Sequence, residues 1–455
     1  MRLYASVLNG WVHPADAYLQ LHSGHENAFW IDRENHPDSR FSVIGSSAST
    51  DWVSAAETAE WVKLRLSEFG DLQPADEAAS NLPFDWRPGL VGVHTYEGEG
   101  VFLQVDRALV FDHDHRRLFF VGAFESELGF EQWHHAALLR LALVGGESAR
   151  FKQRAAAQLA QKASTQSAAE LRHSPTEYLE LIKKAQTAIA SGEVYQLCLT
   201  NRVFAEAQID PLYAFLKLRE ANPAPYSTYL SLSSRTGHNF ALVCSSPERF
   251  IEVRQDRQLV TKPIKGTRPR MRDSQGEILE AEDAAIAAEL AQNQKERAEN
   301  LMIVDLMRND FLKVCSEDSV VVSSLFAVES YATVHQLVST VEGILLDDYS
   351  AVDAVLACFP GGSMTGAPKS RAVELIAELE DSERGLYSGV VGWYSASGQA
   401  DFAMVIRSAV FDGDRLSIGI GGGITIDSDP DAELEETRLK AQALLGAMNL
   451  RDPWV

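Results

Sequence analysis

The chain is poor in cysteine, in long apolar runs and in basic charge. Its four cysteines, Cys198, Cys244, Cys315 and Cys358, lie far apart, each within or beside an apolar stretch. That is the placement of reduced core thiols, so no disulfide is expected. No run of about 18 apolar residues is available to cross a bilayer. Met1-Arg2-Leu3-Tyr4 does not open a charged segment followed by an apolar secretion core, and a cytoplasmic location is the expectation. With 41 Lys+Arg against 64 Asp+Glu, the formal charge is -23, which speaks against nucleic acid or an anionic membrane as the main partner. An anionic substrate would need a locally positive site or a metal. What the chain does have is 455 residues, 45% of them hydrophobic, enough for a sizeable core and for roughly three units of average domain size.

From Arg40 to about Gly145 the pattern is mostly β: Phe41 to Gly45, Leu90 to Val93, Val101 to Phe111 and Leu118 to Val121. Asp112-His113-Asp114-His115 has metal-ligand residue types, but it alternates as a solvated hairpin tip does, and His134-His135 reads as part of a helix. The Ala-, Gln- and Ser-rich stretch from Phe151 to His173 reads as a connector. The expected organisation is a β-rich region over 1–150, a connector over 151–173 and a second domain over 174–455. Ser174-Pro175-Thr176-Glu177 opens that domain with a capping box and a helix to about Ala190. Further helices are expected at Pro211 to Glu220, Ala281 to Leu312, Ala351 to Ala357 and Ala367 to Leu379. Strands are expected at Val194 to Val203, Tyr226 to Leu232, Phe240 to Cys244, Gln258 to Thr261, Ser319 to Val328, Thr333 to Val341, Val390 to Tyr394 and Phe402 to Val410. The fold class is α+β, without a short repeat.

Several stretches carry chemistry. Pro263-Ile264-Lys265-Gly266-Thr267 follows a β-branched run and reads as a constrained loop presenting a lysine, with Gly266 allowing close approach to a ligand. Burial or a cationic neighbour, Lys262 or Arg268, would favour the neutral, nucleophilic amine; a solvated loop lysine is the plain alternative. Glu296 and Glu299 share one face of a helix, and Glu433 and Glu436 repeat that spacing on a helix capped by Asp429 with Pro430 at its first position. Such carboxylates suit Mg²⁺, and they equally suit two acidic, solvated faces. Gly419-Ile420-Gly421-Gly422-Gly423 follows a β run and can offer backbone N–H groups to a carboxylate. Arg407 reads as a charge inside an apolar strand, which calls for an anionic partner, and Lys440 lies four residues after Glu436 on the same helical face.

Together with Gly192-Glu193-Val194-Tyr195-Gln196, Ser245 to Phe250, Glu299 to Asp310, Gly361 to Lys369 and Asp427 to Ala441, these stretches resemble the chorismate-utilising enzymes. That family includes the anthranilate, aminodeoxychorismate, isochorismate and salicylate synthases. The resemblance covers roughly Ser174 to Met448, and more weakly Phe29 to Asp32 and Arg40 to Ser42. It implies a fold like that of anthranilate synthase component I: antiparallel sheets packed as a sandwich with helices outside. It implies Glu299 and Glu436 as principal Mg²⁺ ligands, with Glu296 and Glu433 holding the water shell. Arg407, Tyr387, Gly421, Gly422, Gly423 and Lys440 would hold the carboxylates of chorismate, with Gly266 and Thr267 nearby. Glu248 aligns with the general acid toward the departing 4-hydroxyl, a role that needs a raised pKa.

Two positions choose within the family. Gln196 stands where isochorismate and salicylate synthases carry a water-activating lysine, so water is not the expected nucleophile. Lys265 is the residue that aminodeoxychorismate synthases carry where anthranilate synthases have alanine. The resemblance thus implies transaminase-type amination of chorismate by the component I of an aminodeoxychorismate synthase, toward 4-aminobenzoate and folate. Anthranilate synthesis is the alternative within the family, and a non-catalytic binding homologue the alternative outside enzymology. Gln336 departs from the family, which has histidine just before Leu-Val-Ser. The sequence has no Gly-x-Cys-x-Gly turn, so ammonia is expected from a separate glutamine amidotransferase subunit.

Overall fold

The computed structural model describes residues 1–36, 39–162, 167–233, 239–273, 275–331 and 333–455. Part of the expected connector, residues 163–166, lies outside the described residues. The rest of it is a helix, Glu147–Lys162, and a short strand, Ala169–Leu171, paired to the strand Gln196–Glu206.

Local chemistry sets the helix ends. The Ser174 hydroxyl accepts from the Glu177 N–H while the Glu177 carboxylate accepts from the Ser174 N–H, starting the helix Pro175–Ala190 with proline in its first turn. Asp429 caps the C-terminal helix Pro430–Met448, its side chain accepting from the Ala432 N–H. The stretch 281–312, read above as one helix, is two, Glu280–Gln292 and Gln294–Phe311. They break at Asn293, whose backbone is extended and whose side chain accepts from the Glu296 N–H, so that an Asn cap starts a second helix.

Among the described residues the strands form two antiparallel sheets. The first has 12 strands and runs from Arg2–Leu8 at one end to Gln196–Glu206 and Gly366–Ala367 at the other; the second has 10 and includes Ile264–Pro269, Val334–Ile344, Val390–Ser395 and Gly89–His94. Val43, Val110 and Leu242 from the first sheet and Val91, Val101 and Leu103 from the second share one core, so the sheets pack face to face. Helices cover the outer faces: Phe215 and Leu444 pack on the first sheet, Val304, Met307 and Val355 on the second. This is the expected α+β sandwich. The expected split between 1–150 and 174–455 does not separate the sheets, because both regions contribute strands to each. Trp30 pairs with Tyr229 in one sheet and Gly92 with Gly392 in the other. Each strand's apolar pattern is local, whereas its partner lies some 200 to 300 residues away, so the pattern could not reveal the pairing. No helix among the described residues is long and apolar enough to cross a membrane. The Asp112 cluster is an ion-paired hairpin end: Asp112 holds Arg40 and Arg117, and His113 bonds the Ser42 hydroxyl.

The strand expected over Phe402 to Val410 is also two strands, Ala400–Met404 in the second sheet and Ser408–Asp412 in the first. Residues 405–407 therefore carry the chain from one sheet to the other. Beside this crossing, Arg384 is fully buried against Glu380, at 1% and 0% side-chain exposure. Its guanidinium also donates to the Met364 and Cys198 carbonyls, and Glu380 accepts from the Thr200 N–H. Removing one partner strands a buried charge, so Arg384→Ala should cost about 3–5 kcal/mol. Equilibrium urea unfolding checks this; a loss below about 1 kcal/mol, the size of an exposed pair, would contradict it.

Candidate active site

A cavity of about 510 Å³ opens where the two sheets meet the helices Gln294–Phe311 and Pro430–Met448. Lys265, Glu248, Gly266, Thr267, Tyr387, Arg407, Gly421, Gly422, Gly423, Lys440, Glu296, Glu299, Glu433 and Glu436 all line it. The structure thus brings together every candidate catalytic, substrate-binding and metal-ligating residue expected from the sequence, although three of the local readings change.

The first change concerns Lys265, which lies on a strand, Ile264–Pro269, rather than in a loop. It faces Leu337 across an antiparallel pair whose register slips between Lys265 and Thr267. That bulge sits at Gly266, in the left-handed region at φ +79, and a bulge re-aims neighbouring side chains. Lys265 Nζ stands 3.7 Å from Glu299. Nor do Lys262 and Arg268 press their charge on it, since they pair with Glu329 and with Glu289 and Glu296. Burial pushes the Lys265 amine down, but Glu299, Glu248 and Glu436 outweigh it and hold the pKa above the ordinary lysine value. In the unliganded site it is an ammonium.

The second change concerns the glycines. They form the end of the strand Arg415–Ile424, where Gly421, Gly422 and Gly423 pair with Thr200, Leu199 and Cys198. On the other edge, pairing with Ser408–Asp412 stops at Ile418, so the glycine segment has an open edge. A Cβ on Gly419 would run into the Tyr387 ring, and one on Gly423 would lie 3.5 Å from Lys265 Nζ. The missing side chains are the space of the cavity. Lys440 Nζ donates to the Gly421 carbonyl at 2.9 Å and pairs with Glu436 at 2.7 Å.

The third concerns Arg407, which stands on the crossing between sheets, not within a strand, with φ at 51. Among the described residues its side chain has no hydrogen bond or ion pair. Burial lowers its pKa. An arginine held this way in a cavity is a place for an anionic ligand group.

Glu248 follows the strand Asn239–Ser246 and is buried. Burial pushes its carboxyl up to about 7, against the pull of a hydrogen bond from Ser363 and the charge of Lys265. This is the direction a general acid needs. Burial likewise raises Glu299, with Lys265 and Lys295 opposing. Burial pushes Glu436 up, but Lys440, with Lys295 and Lys265, more than offsets it and the pKa falls.

The four glutamates are each drawn to a cation: Glu296 to Arg268, Glu299 to Lys265 and Lys295, Glu433 to Lys295 at 3.4 Å, and Glu436 to Lys440. Among the described residues no three acidic, His or Cys side chains cluster closely enough to hold a metal as they stand. The donor set fits a hard divalent cation: four carboxylates from two helices on one cavity with room for water.

Sequence reasoning missed Lys295, Ser363 and Cys198, which also line the cavity. Lys295 had a signal, its four-residue spacing to Glu299. Cys198 and Ser363 had none beyond lying in or near the quoted motifs. Gln336 lines the cavity, while its neighbour His335 turns the other way to Asp283 and Ser330. The histidine one position earlier therefore does not replace the missing one.

The fold and this site are those of the chorismate binding enzyme family. The profile of the family described as chorismate binding enzyme matches residues 26–446, and the chain belongs to that family. It is 40% identical to an aminodeoxychorismate synthase of Streptomyces griseus over 88% of this chain and 55% of that one. It is 37% identical to an anthranilate synthase component 1 of Arthrobacter globiformis, over 86% of this chain and 68% of the relative. The solved anthranilate synthase component I of Streptococcus pneumoniae TIGR4 superposes with a TM-score of 0.73 at 25% identity, covering 95% of this chain and 97% of its own. The chain spans about half the length of the Streptomyces relative.

Two outcomes follow. A Cβ at residue 266 would meet Leu290 and the Glu296 side chain at 2.8 and 2.9 Å in an unfavourable backbone region. Gly266→Ala should therefore straighten the bulge and lower catalytic activity by about tenfold or more, in line with the sensitivity of such sites to small misplacements. Steady-state kinetics showing near wild-type activity would contradict this. The second outcome is a stability effect of Glu248. Its folded pKa lies above its unfolded one, so ionisation costs nothing below about pH 4.5 and reaches its full cost above about 7. Glu248→Gln should leave unfolding free energy unchanged at pH 4 and raise it at pH 8 by up to about 3 kcal/mol. Equal effects at both pH values would refute the raised pKa.

Proposed function

We propose that the protein is the component I of an aminodeoxychorismate synthase, converting chorismate and ammonia to 4-amino-4-deoxychorismate. The observation that carries this is Lys265: an amine aimed by a bulged strand into the cavity that also holds a buried acid, Glu248, and an uncommitted arginine, Arg407. The relatives support it, since several named aminodeoxychorismate synthase share 40 to 43% identity with the chain, as do those of Streptomyces griseus and, over 59% of the chain, Salmonella typhimurium.

In this reading Arg407, Lys440, Tyr387 and the open edge of Gly421, Gly422 and Gly423 hold the substrate carboxylates, with Gly266 and Thr267 beside the ring. The amine of Lys265 forms a bond to C2, the ring double bond shifts, and the C4–O bond breaks. Glu248 delivers its proton to the departing hydroxyl, which leaves as water. Lys265 rests as an ammonium, so moving its proton to the Glu248 carboxylate produces the free amine and the neutral, protonated acid together. Ammonia then bonds to C4, the double bond shifts back and Lys265 is released. Glu299 and Glu436, with Glu296 and Glu433 through water, would hold Mg²⁺, which when bound neutralises the charge of the substrate carboxylate. Ammonia comes from a separate glutamine amidotransferase subunit, a reading supported by relatives named as a component 1. Four unpaired, buried cysteines fit a reducing, cytoplasmic setting.

The test is the product and the adduct. Purified protein with chorismate, Mg²⁺ and ammonium salt should yield aminodeoxychorismate. Without ammonia, a fraction should gain the mass of chorismate less one water on the peptide containing Lys265, and Lys265→Ala should lose both. Anthranilate with pyruvate, or full product from Lys265→Ala, would overturn the assignment.

A further inference from the structure

Lys265 acts from a strand whose path is fixed on both sides. After it comes the bulge at Gly266. Before it, the Pro263 carbonyl accepts two hydrogen bonds, from Asn300 Nδ2 and from the Ser339 N–H, each at 3.2 Å. Asn300 Nδ2 also reaches the carbonyl of Leu337, the residue paired with Lys265, at 3.5 Å. Asn300 Oδ1 accepts from the Ser339 hydroxyl, which in turn accepts from the Phe326 N–H. The carboxamide thus spends its hydrogen bonds on the strand that carries Lys265 and on that strand's neighbour.

Asn300 is fully buried and is not part of the cavity wall. It immediately follows Glu299 on the helix Gln294–Phe311, and Glu299 does line the wall, 3.7 Å from Lys265 Nζ. One helix therefore presents a carboxylate to the amine and, one residue on, ties down the backbone two residues before that amine. Apolar packing lets helix and strand slide; a carboxamide bonded to two carbonyls does not.

We infer that Asn300 is a positioning residue for Lys265: it fixes the amine against Glu299 and the substrate, and its loss slows attack on substrate more than it weakens substrate binding. This rests on the reading of Lys265 as the nucleophile.

The test compares the full-length wild type with Asn300→Ala, Ser339→Ala and Val304→Ala, the last a buried residue of the same helix that does not line the cavity. An ångström of misplacement can cost on the order of a hundredfold, so Asn300→Ala should lower both turnover and the rate of Lys265 adduct formation by about tenfold or more, with KM for chorismate within about threefold. Ser339→Ala should move both rates the same way by less. Val304→Ala should lower the unfolding midpoint and leave the adduct rate within about twofold, because a cavity in the core costs stability without moving the strand. An adduct rate in Asn300→Ala no lower than in Val304→Ala, or a loss seen only in KM, would overturn the inference. Turnover by the wild type without any adduct would overturn the nucleophile reading itself, and this inference with it.

Discussion

The site depends on a buried ion pair that touches none of the ligand space. Arg384 and Glu380 are bonded through both carboxylate oxygens, and the remaining guanidinium donors go to the Cys198 and Met364 carbonyls and toward the Ser388 hydroxyl. The Tyr96 ring lies 4.6 Å from the guanidinium. With its donors matched, the pair recovers the cost of taking two charges out of water; with either half missing it cannot. What it joins is informative. Cys198 belongs to the strand paired with Gly423, and Met364 follows Ser363, the partner of Glu248. One pair therefore holds the wall behind the glycines and the turn that supports the acid.

An acidic chain has solved its anion problem locally. Around the cavity the charges alternate, Arg268 with Glu296, Lys265 and Lys295 with Glu299, Lys295 with Glu433, Lys440 with Glu436. Alternation offsets the repulsion among four carboxylates on one wall while leaving Arg407 to meet an incoming anion. It also explains why Lys265 is charged at rest: the pull of Glu299, Glu248 and Glu436 outweighs the burial of its amine.

Much of this was legible in the sequence because it is written in local chemistry. The Ser174 capping box, the Asp429 cap and the paired glutamates are i to i+3 relations, and the helices stand where those relations put them. The misreadings fall where backbone geometry is set from far away. Pro263 to Thr267 looks like a loop, yet pairing with Val334–Ile344 makes it a strand. The glycines look like a segment that follows a strand, yet pairing with Gln196–Glu206 makes them part of one. Phe402 to Val410 looks like one strand because its apolar pattern runs on through the crossing between two sheets.

The sequence by itself determined the α+β class and the family, and it named the lysine, the buried glutamate and the four further carboxylates that line one cavity. Each of these is carried by residue type and short spacing, which folding does not alter. Only the tertiary structure decided that residues 1–150 and 174–455 share both sheets, that Gln336 and not His335 faces the cavity, and that Arg407 stands on the crossing with no hydrogen bond or ion pair of its side chain among the described residues. It also decided the charge on Lys265, because a lysine's pKa answers to burial and to carboxylates brought from helices distant in the chain. Spacing can name the groups of a site; their distances, and so their protonation and their aim, exist only once the sheets have closed.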